Sequence, residues 1–286
     1  MNSAQSNQVA AIQMCSTDQR DDNLATAARL LEQAAAAGAK LAVLPENFAL
    51  MGRHEKDKLA IAESPGSGPI QDFLSAIARR LQLWIVAGTV PLAVEGDDRH
   101  VWAASLVYCD QGRLAARYDK IHLFDVEVPN INRGGDGGGG GERYRESASI
   151  AFGAPNAVVV DTPAGKLGLS VCYDLRFPEL YRRLVAAGAE ILCVPSAFTE
   201  RTGRAHWEAL LRARAIENQC FVIAPGQAGE HVNGRCTWGH SLILDPWGET
   251  LALLESGEGA AVAALPRERL EEVRRTFPAL THRRLE

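Results

Sequence analysis

The sequence predicts an α/β protein built from layers of helices and of sheets with mixed strand direction. Short apolar runs of strand length alternate along the chain with longer segments of helical periodicity. In two places, consecutive strand-like runs are joined by turns short enough for an antiparallel hairpin. Because sheets and helices each bury an apolar face, this alternation is typical of a layered mixed-sheet architecture.

The first part of the chain alternates strand and helix signals. Asp21 and Asp22 precede a helix expected at Leu24–Ala37, which ends at Gly38. Apolar residues three and four positions apart predict a second helix at Ile70–Gln82. Apolar runs of β-type composition predict strands at Val9–Cys15, Leu41–Leu44 and Trp84–Val90.

Hairpins and a final group of strands complete the prediction. The two hairpins pair Ala103–Cys109 with Leu114–Tyr118, and Ala157–Val160 with Lys166–Val171. Helices are expected at His206–Asn218, where Glu208 and Arg212 have the spacing of an i,i+4 ion pair, and at Arg267–Arg275. The remaining strands are expected at Ile191–Val194, Phe221–Ala224, Ser241–Leu244, Thr250–Leu254 and Ala261–Ala264.

Cys172 occupies a position typical of a nucleophile. It follows the apolar run Leu167–Val171, and a helix is expected to begin at Pro178, since proline suits a first helical position. A side chain on a turn between strand and helix is exposed above the sheet, and nearby backbone N–H groups favour its thiolate. From this stretch alone, a small buried core cysteine remains an alternative.

Composition limits the function classes. Of 286 residues, 47% are hydrophobic and 23% charged, as in ordinary globular proteins, and the net charge of −5 argues against nucleic-acid binding. Six scattered cysteines without a CxxC pair indicate reduced thiols and a cytoplasmic location. Neither a signal peptide nor a membrane-spanning segment is expected.

The glycine-rich segment Gly134–Gly141 lacks the spacing of a phosphate-binding loop and predicts a flexible surface loop.

Two further strand ends carry charged residues. Glu46 follows the apolar run Leu41–Pro45, and Lys120 follows the predicted strand that ends at Tyr118. Taken singly, Glu46 could be a helix cap or loop charge, and Lys120 could be solvated. Active residues of open α/β sheets gather at the carboxyl ends of strands, so Glu46, Lys120 and Cys172 form a plausible hydrolytic set.

The residues around these positions resemble the nitrilase superfamily of carbon–nitrogen hydrolases. Three signatures of that family stand in order at Leu44–Asn47, Tyr118–Phe124 and Ser170–Glu179. The resemblance continues through Pro195–Phe198, Ala205–Glu208, Arg212–Gln219, Gly239–Ser241 and Asp245–Gly248, and so covers nearly the whole chain.

The resemblance implies a four-layer α-β-β-α sandwich with two mixed sheets, formed by residues 1–286 as one domain. It also implies a homodimer or higher homo-oligomer, in which the tail at about 277–286 packs on a partner subunit. Glu46, Lys120 and Cys172 correspond to the family's catalytic residues, and Glu146 corresponds to a second glutamate. The glycine-rich segment before Glu146 departs from the shorter connection usual in the family.

Amide hydrolysis needs a nucleophile, a proton carrier and a group that stabilises the tetrahedral oxyanion. Cys172 is expected to form a thioester, while Glu46 transfers protons with a raised pKa. Lys120 and the backbone N–H of Tyr173 are expected to bind the oxyanion, and Glu146 to orient Lys120 or the substrate. Neither a metal nor a cofactor is expected, because the seven histidines form no ligand pattern.

The resemblance favours the branch that acts on α-keto acid amides, with deaminated glutathione as the first substrate hypothesis. The alternatives are ω-amidase activity on 2-oxoglutaramate, hydrolysis of another short amide or carbamoyl compound, and an inactive sandwich that serves as an interaction protein. An anionic substrate needs a guanidinium group at the rim. The candidate substrate-binding residues are Arg176, Phe198, Thr199 and His206, with Arg201 and Arg204 as further rim arginines.

Overall fold

Two large mixed β-sheets face each other in the computed structural model of the chain, which describes residues 8–128 and 142–285. The strands are β1 (Gln8–Gln13), β2 (Leu41–Val43), β3 (Trp84–Val86), β4 (Val90–Val94), β5 (Asp97–Tyr108), β6 (Leu114–Asp119), β7 (Asp125–Val128), β8 (Glu142–Arg145), β9 (Val159–Thr162), β10 (Gly165–Leu169), β11 (Ile191–Cys193), β12 (Phe221–Ala224), β13 (Ala228–Glu230), β14 (Cys236–Trp238), β15 (Ser241–Leu244), β16 (Thr250–Leu254) and β17 (Gly259–Ala264). The α-helices are α1 (Arg20–Ala36), α2 (Asp57–Ala60), α3 (Pro69–Leu81), α4 (Pro178–Ala186), α5 (Glu200–Asn218) and α6 (Arg267–Thr276).

Each large sheet combines parallel and antiparallel pairs. The first has the order β17-β1-β2-β3-β5-β4, with β6 paired to β5, and its β1, β2 and β3 are parallel. The second has the order β16-β15-β12-β11-β10-β9, and its β10, β11 and β12 are parallel. The carboxyl ends of both parallel triplets bring chemistry-bearing residues to the sheet edges, as open α/β sheets generally do.

Successive side chains of a strand point to opposite faces of the sheet and so pack in different layers. Val9 and Ala11 of β1 pack in the core shared with the second sheet, whereas Ala10 and Ile12 pack against α1 and α3. This is the two-residue period of a strand buried on both faces. Helices α4 and α5 cover the other sheet, on β10 and β12 respectively. The predicted α-β-β-α sandwich with two mixed sheets is confirmed.

Both predicted hairpins are present, as β5–β6 and β9–β10. Helices α1 and α5 begin earlier than predicted, so Asp21 lies inside the first turn of α1. The Thr199 side chain caps α5 by accepting a hydrogen bond from the Thr202 N–H. The small sheets β7–β8 and β13–β14 were not predicted from the sequence.

The predicted single strand at Trp84–Val90 was wrong. It is two strands, β3 and β4, separated at Gly88, which has φ +49°. A Cβ at Gly88 would lie 1.9 Å from the carbonyl oxygen of Pro45, next to Glu46, so a glycine allows this close approach. The glycine-rich segment Gly134–Gly141 lies outside the described residues.

Candidate active site

Lys120 lies between two buried carboxylates. It directly follows β6, and its Nζ donates hydrogen bonds to Glu46 Oε1 at 2.7 Å and to both carboxylate oxygens of Glu146 at 2.8 Å. Lys120 is only 1% exposed. Three charges with almost no solvent contact are costly unless they are paired and hydrogen-bonded, as they are here.

Further hydrogen bonds hold the Glu146 carboxylate and the backbone of Glu46 from outside the trio. The Phe124 N–H donates to Glu146 Oε2 at 2.7 Å. Gln227 Nε2 donates to the carbonyl oxygen of Glu46 at 3.0 Å and to Ser16 Oγ at 2.8 Å. The first contact limits the movement of the Glu146 carboxylate, and the second holds the backbone that carries the Glu46 side chain.

The predicted turn at Cys172 has the geometry of a nucleophile elbow. β10 ends at Leu169, a single 3₁₀ turn spans Cys172–Arg176, and α4 begins at Pro178. Cys172 has φ +46°, a left-handed conformation that is strained for a non-glycine residue. Its N–H donates to the Pro195 carbonyl at 2.9 Å, which holds the turn in place.

The Cys172 thiol is buried against Glu46. Burial raises the pKa of Cys172, and the charge of Glu46 raises it further. The Lys120 charge and a hydrogen bond from the Ala197 N–H act in the opposite direction but do not outweigh them. The Ala197 N–H favours the thiolate, as expected for a backbone N–H at this turn, but burial beside Glu46 outweighs it and keeps the pKa of Cys172 above its usual value.

The expected raised pKa of Glu46 was also wrong. Burial by itself raises the pKa of Glu46, but the charge and hydrogen bond of Lys120 outweigh it, so the pKa is lowered. The pKa of Lys120 is raised well above its usual value, since Glu146 and Glu46 outweigh the opposing effect of burial. The resting site thus combines an ionised Glu46 with a protonated Cys172 thiol.

Asp174 holds the elbow turn in place through hydrogen bonds of its carboxylate. Its carboxylate accepts hydrogen bonds from the Tyr118 hydroxyl at 2.6 Å and the Val171 N–H at 2.8 Å. The other oxygen contacts Nδ1 and the backbone N–H of His122 at 2.7 and 3.2 Å. Asp174 is fully buried. Sequence reasoning gave Asp174 no role, although it stands inside the third signature.

A cleft of about 490 Å³ leads to Cys172. Arg176, Phe198 and Thr199 line it, together with the Tyr173 side chain. The Arg176 guanidinium lies 5.3 Å from the centre of the Phe198 ring. The cleft lining that sequence reasoning missed consists of Asn47, Glu55, Lys58, Phe124, Tyr144, Ala197, Thr202 and Arg235.

Three other predicted rim residues lie outside this lining. His206 is exposed, and its Nδ1 lies 3.3 Å from Arg176 Nη1. Burial and the charge of Arg176 lower the pKa of His206. Arg204 pairs with Glu200 at 2.9 Å, and Arg201 does not reach the cleft lining either. Of the three candidate arginines, the fold brings Arg176 to the cleft.

Within residues 8–128 and 142–285, no three His, Cys, Asp or Glu side chains are grouped so that they could hold a metal ion. None of the helices in the described part of the chain is long and apolar enough to cross a membrane.

The chain is similar to several known proteins. The pattern of the family described as carbon–nitrogen hydrolase matches residues 8–275. The deaminated glutathione amidase of Synechocystis sp. is 44% identical over 275 residues, which are 96% of this chain and 97% of that protein. The solved structure of the C. elegans NitFhit protein has a TM-score of 0.88 and 35% identity, covering 97% of this chain and 65% of that longer chain. The structure of Saccharomyces cerevisiae Nit3, a member of branch 10 of the nitrilase superfamily, has a TM-score of 0.84 and 30% identity. The match covers 97% of this chain and 96% of that chain.

Proposed function

The chain belongs to the carbon–nitrogen hydrolase family, and from this premise we propose that it is an amidase acting on a small α-keto acid amide, first of all deaminated glutathione. The observation that carries the proposal is the Lys120 ammonium held at 2.7–2.8 Å between Glu46 and Glu146, next to the Cys172 thiol. The similarity to proteins named deaminated glutathione amidase supports this choice of substrate.

In the first half of the reaction, Cys172 Sγ attacks the amide carbonyl carbon while Glu46 takes the thiol proton. The ionised Glu46 and the protonated thiol are the correct partners for this transfer, because substrate attack and deprotonation occur together. Lys120 Nζ and the Tyr173 N–H stabilise the developing oxyanion. Glu46 then gives its proton to the leaving amine nitrogen, and the C–N bond breaks to leave a thioester.

In the second half, Glu46 removes a proton from a water molecule, whose oxygen attacks the thioester carbonyl. The tetrahedral intermediate uses the same oxyanion groups, and its collapse breaks the C–S bond. The proton on Glu46 returns to Cys172 as the free acid leaves. Glu146 orients Lys120 throughout, since both of its oxygens accept hydrogen bonds from Nζ. No cofactor is used in this scheme.

The cleft lining supports an anionic substrate. Arg176 is the last residue of the elbow turn and presents a guanidinium group to the cleft between the rings of Tyr173 and Phe198. Such a group binds carboxylates with charge-assisted hydrogen bonds. We assign it to the carboxylate of the α-keto acid, with Phe198 and Thr199 beside it. His206 is then a neighbour of Arg176 rather than a direct ligand.

A competition assay tests this function. Purified protein is incubated with deaminated glutathione and with 2-oxoglutaramate in parallel, and kcat/KM is measured for both, with Cys172→Ala as the blank. A higher kcat/KM for deaminated glutathione supports the proposal, whereas a higher value for 2-oxoglutaramate identifies an ω-amidase. Turnover of neither substrate, together with unreactive Cys172 towards thiol reagents, identifies an inactive scaffold.

We also propose a cytoplasmic homodimer in which the tail at 277–286 packs on the partner subunit. All six cysteines are free thiols, which suits a reducing compartment. Phe277 and Trp247 are each more than half exposed and meet edge to face at 5.8 Å, and the exposed Ile216 lies beside Gly248. A connected apolar surface of this kind favours association. Light scattering at micromolar concentration tests the assembly, and a monomer there contradicts it.

A further inference from the structure

A second, larger chamber opens directly from the active-site cleft. Its volume, including the solvent space at its open mouth, is about 1150 Å³. Five residues line both cavities where they meet and so form their shared wall: Asn47, Glu55, Lys58, Tyr144 and Arg235. The outer chamber continues beyond that wall along Met51, Gly52, Arg53, His54, Arg143, Asn233 and Gly234. A substrate bound at Cys172 can therefore extend into this chamber without leaving the protein surface.

The outer chamber is strongly cationic. Four of its side chains are cations, namely Arg53, Lys58, Arg143 and Arg235, against the single carboxylate of Glu55. Arg53 is already paired with Asp18 at 2.7 Å, and Lys58 lies 3.7 Å from Glu55. An excess of positive charge in a partly enclosed space attracts anionic groups.

Of the four cations of the outer chamber, Arg235 is the one linked to the nucleophile through a single residue, Ala197. Its Nη2 donates to the carbonyl oxygen of Ala197, the residue whose N–H bonds to the Cys172 thiol. The guanidinium lies 5.1 Å from the centre of the Tyr144 ring, which holds it at the shared wall. Its Nε is buried and has no hydrogen-bond partner among the described residues. A ligand cannot reach that atom, but the Arg235 side chain lines both cavities, and a guanidinium group offers the N–H donors that a carboxylate accepts.

We propose that the outer chamber binds a carboxylate at the far end of the leaving amine, with Arg235 as its anchor. This inference rests on the proposed amidase function. The backbone of the single residue Ala197 separates Arg235 from the thiol. An extended dipeptide spans about 7 Å, at up to ~3.6 Å per residue. A dipeptide leaving group therefore has the length needed to place its terminal carboxylate near the shared wall.

This arrangement distinguishes two kinds of amide. Deaminated glutathione, in which a keto oxygen replaces the amino group of glutathione, carries a carboxylate at each end. Arg176 and Arg235 then bind opposite ends of one dianionic substrate. 2-Oxoglutaramate releases ammonia and has no group to place in the outer chamber. The outer chamber therefore selects substrates whose leaving amine is itself anionic.

A pair of substrates with the same scissile bond tests the subsite. The first is deaminated glutathione, and the second is its C-terminal carboxamide, which lacks only the distal charge. Loss of a charge-assisted hydrogen bond should lower kcat/KM of the wild-type protein about 10- to 100-fold for the carboxamide. In Arg235→Met, the ratio of the two kcat/KM values should fall to near 1.

Arg204→Met is the matched control, because Arg204 also lies over an aromatic ring, that of Trp238 at 5.6 Å, but outside both cavities. It should keep the wild-type ratio. Equal kcat/KM for acid and carboxamide in the wild-type protein overturns the subsite while leaving the amidase function intact. Turnover of neither compound overturns both. Because the wild-type comparison needs no variant, a folding defect in Arg235→Met cannot obscure the result.

Discussion

The Tyr118 hydroxyl donates a 2.6 Å hydrogen bond to the Asp174 carboxylate, and this bond joins β6 of the first sheet to the elbow turn that follows β10 of the second. Tyr118 stands two residues before Lys120, and Asp174 stands two residues after Cys172. Both side chains are buried. One contact therefore sets the position of the lysine strand relative to the cysteine elbow.

Removing this contact should loosen the elbow. Tyr118→Phe deletes one hydrogen bond to a buried charge and should lower the free energy of unfolding by about 1.5 kcal/mol. Asp174→Asn replaces one carboxylate oxygen with an NH₂ group, which faces other hydrogen-bond donors. This change should lower the free energy of unfolding by about 3 kcal/mol. Urea denaturation measures both. Tyr108→Phe, at a buried tyrosine of β5, is the control and should cost less; an equal cost would show that the Tyr118 hydroxyl has no special role.

The six cysteines should differ sharply in function. Cys172→Ala should abolish hydrolysis and leave the fold intact, because alanine replaces the thiol sterically but not chemically. Cys193→Ala is the matched control, since Cys193 is another buried cysteine of the second sheet, and its activity should persist. Ser or Ala at Cys15, Cys109, Cys220 and Cys236 should likewise be tolerated. More than trace turnover by Cys172→Ala contradicts the thioester mechanism.

Substitutions of Lys120, Glu46 and Glu146 should slow the reaction to different extents, according to the role of each residue. Glu46→Gln cannot accept the thiol proton and should slow acylation about 10²–10⁴-fold. Lys120→Ala should be at least as severe, because it removes an oxyanion partner and leaves two buried carboxylates facing each other. Glu146→Gln should be milder, since it orients Lys120 without touching the reacting atoms. Single-turnover release of the amine measures all three, and a Glu146 variant slower than the Glu46 variant would reverse the assignment of the base.

The ionisation of Glu46 should depend on Lys120. Its lowered pKa means that Glu46 stays charged below the ordinary glutamate value of 4.5. In Lys120→Ala, the main cause that lowers the pKa of Glu46 is removed, so burial should raise this pKa. Lys58→Ala should shift it in the same direction but less, because Lys58 is a weaker cause. Carboxyl-carbon NMR shifts across a pH series measure the pKa directly, and an unchanged value in Lys120→Ala contradicts this coupling.

The shifted pKa values of Glu46 and Lys120 make the stability of the fold depend on pH. The lowered pKa of Glu46 stabilises the fold above the unfolded-state pKa, and this contribution is lost as the pH falls through the folded value. The raised pKa of Lys120 stabilises the fold below its usual value of 10.5, and that contribution is lost as the pH rises through the folded value. The wild-type protein should therefore lose stability in strong acid and strong base relative to a Glu46→Gln/Lys120→Met double variant, measured by thermal unfolding across pH.

Much of the fold followed from local pattern. The bounds predicted for β12, β15 and β16 agree with the structure, because apolar runs ended by turn residues mark buried strands. The early start of α5 did not follow, since its first turns carry polar residues and depend on the Thr199 cap. Strands β13 and β14 were missed because three-residue runs have no readable periodicity.

By itself, the sequence determined the family, the layered fold and the identity of the candidate Glu46, Lys120 and Cys172, because those residues stand in ordered signatures at strand ends. Only the tertiary structure decided the ionisation of the site, since the pKa of a buried group depends on which charges face it across the fold. It also decided which arginines line the cleft. Arg176 and Arg235 are far apart in sequence, and only the fold brings both to one cleft.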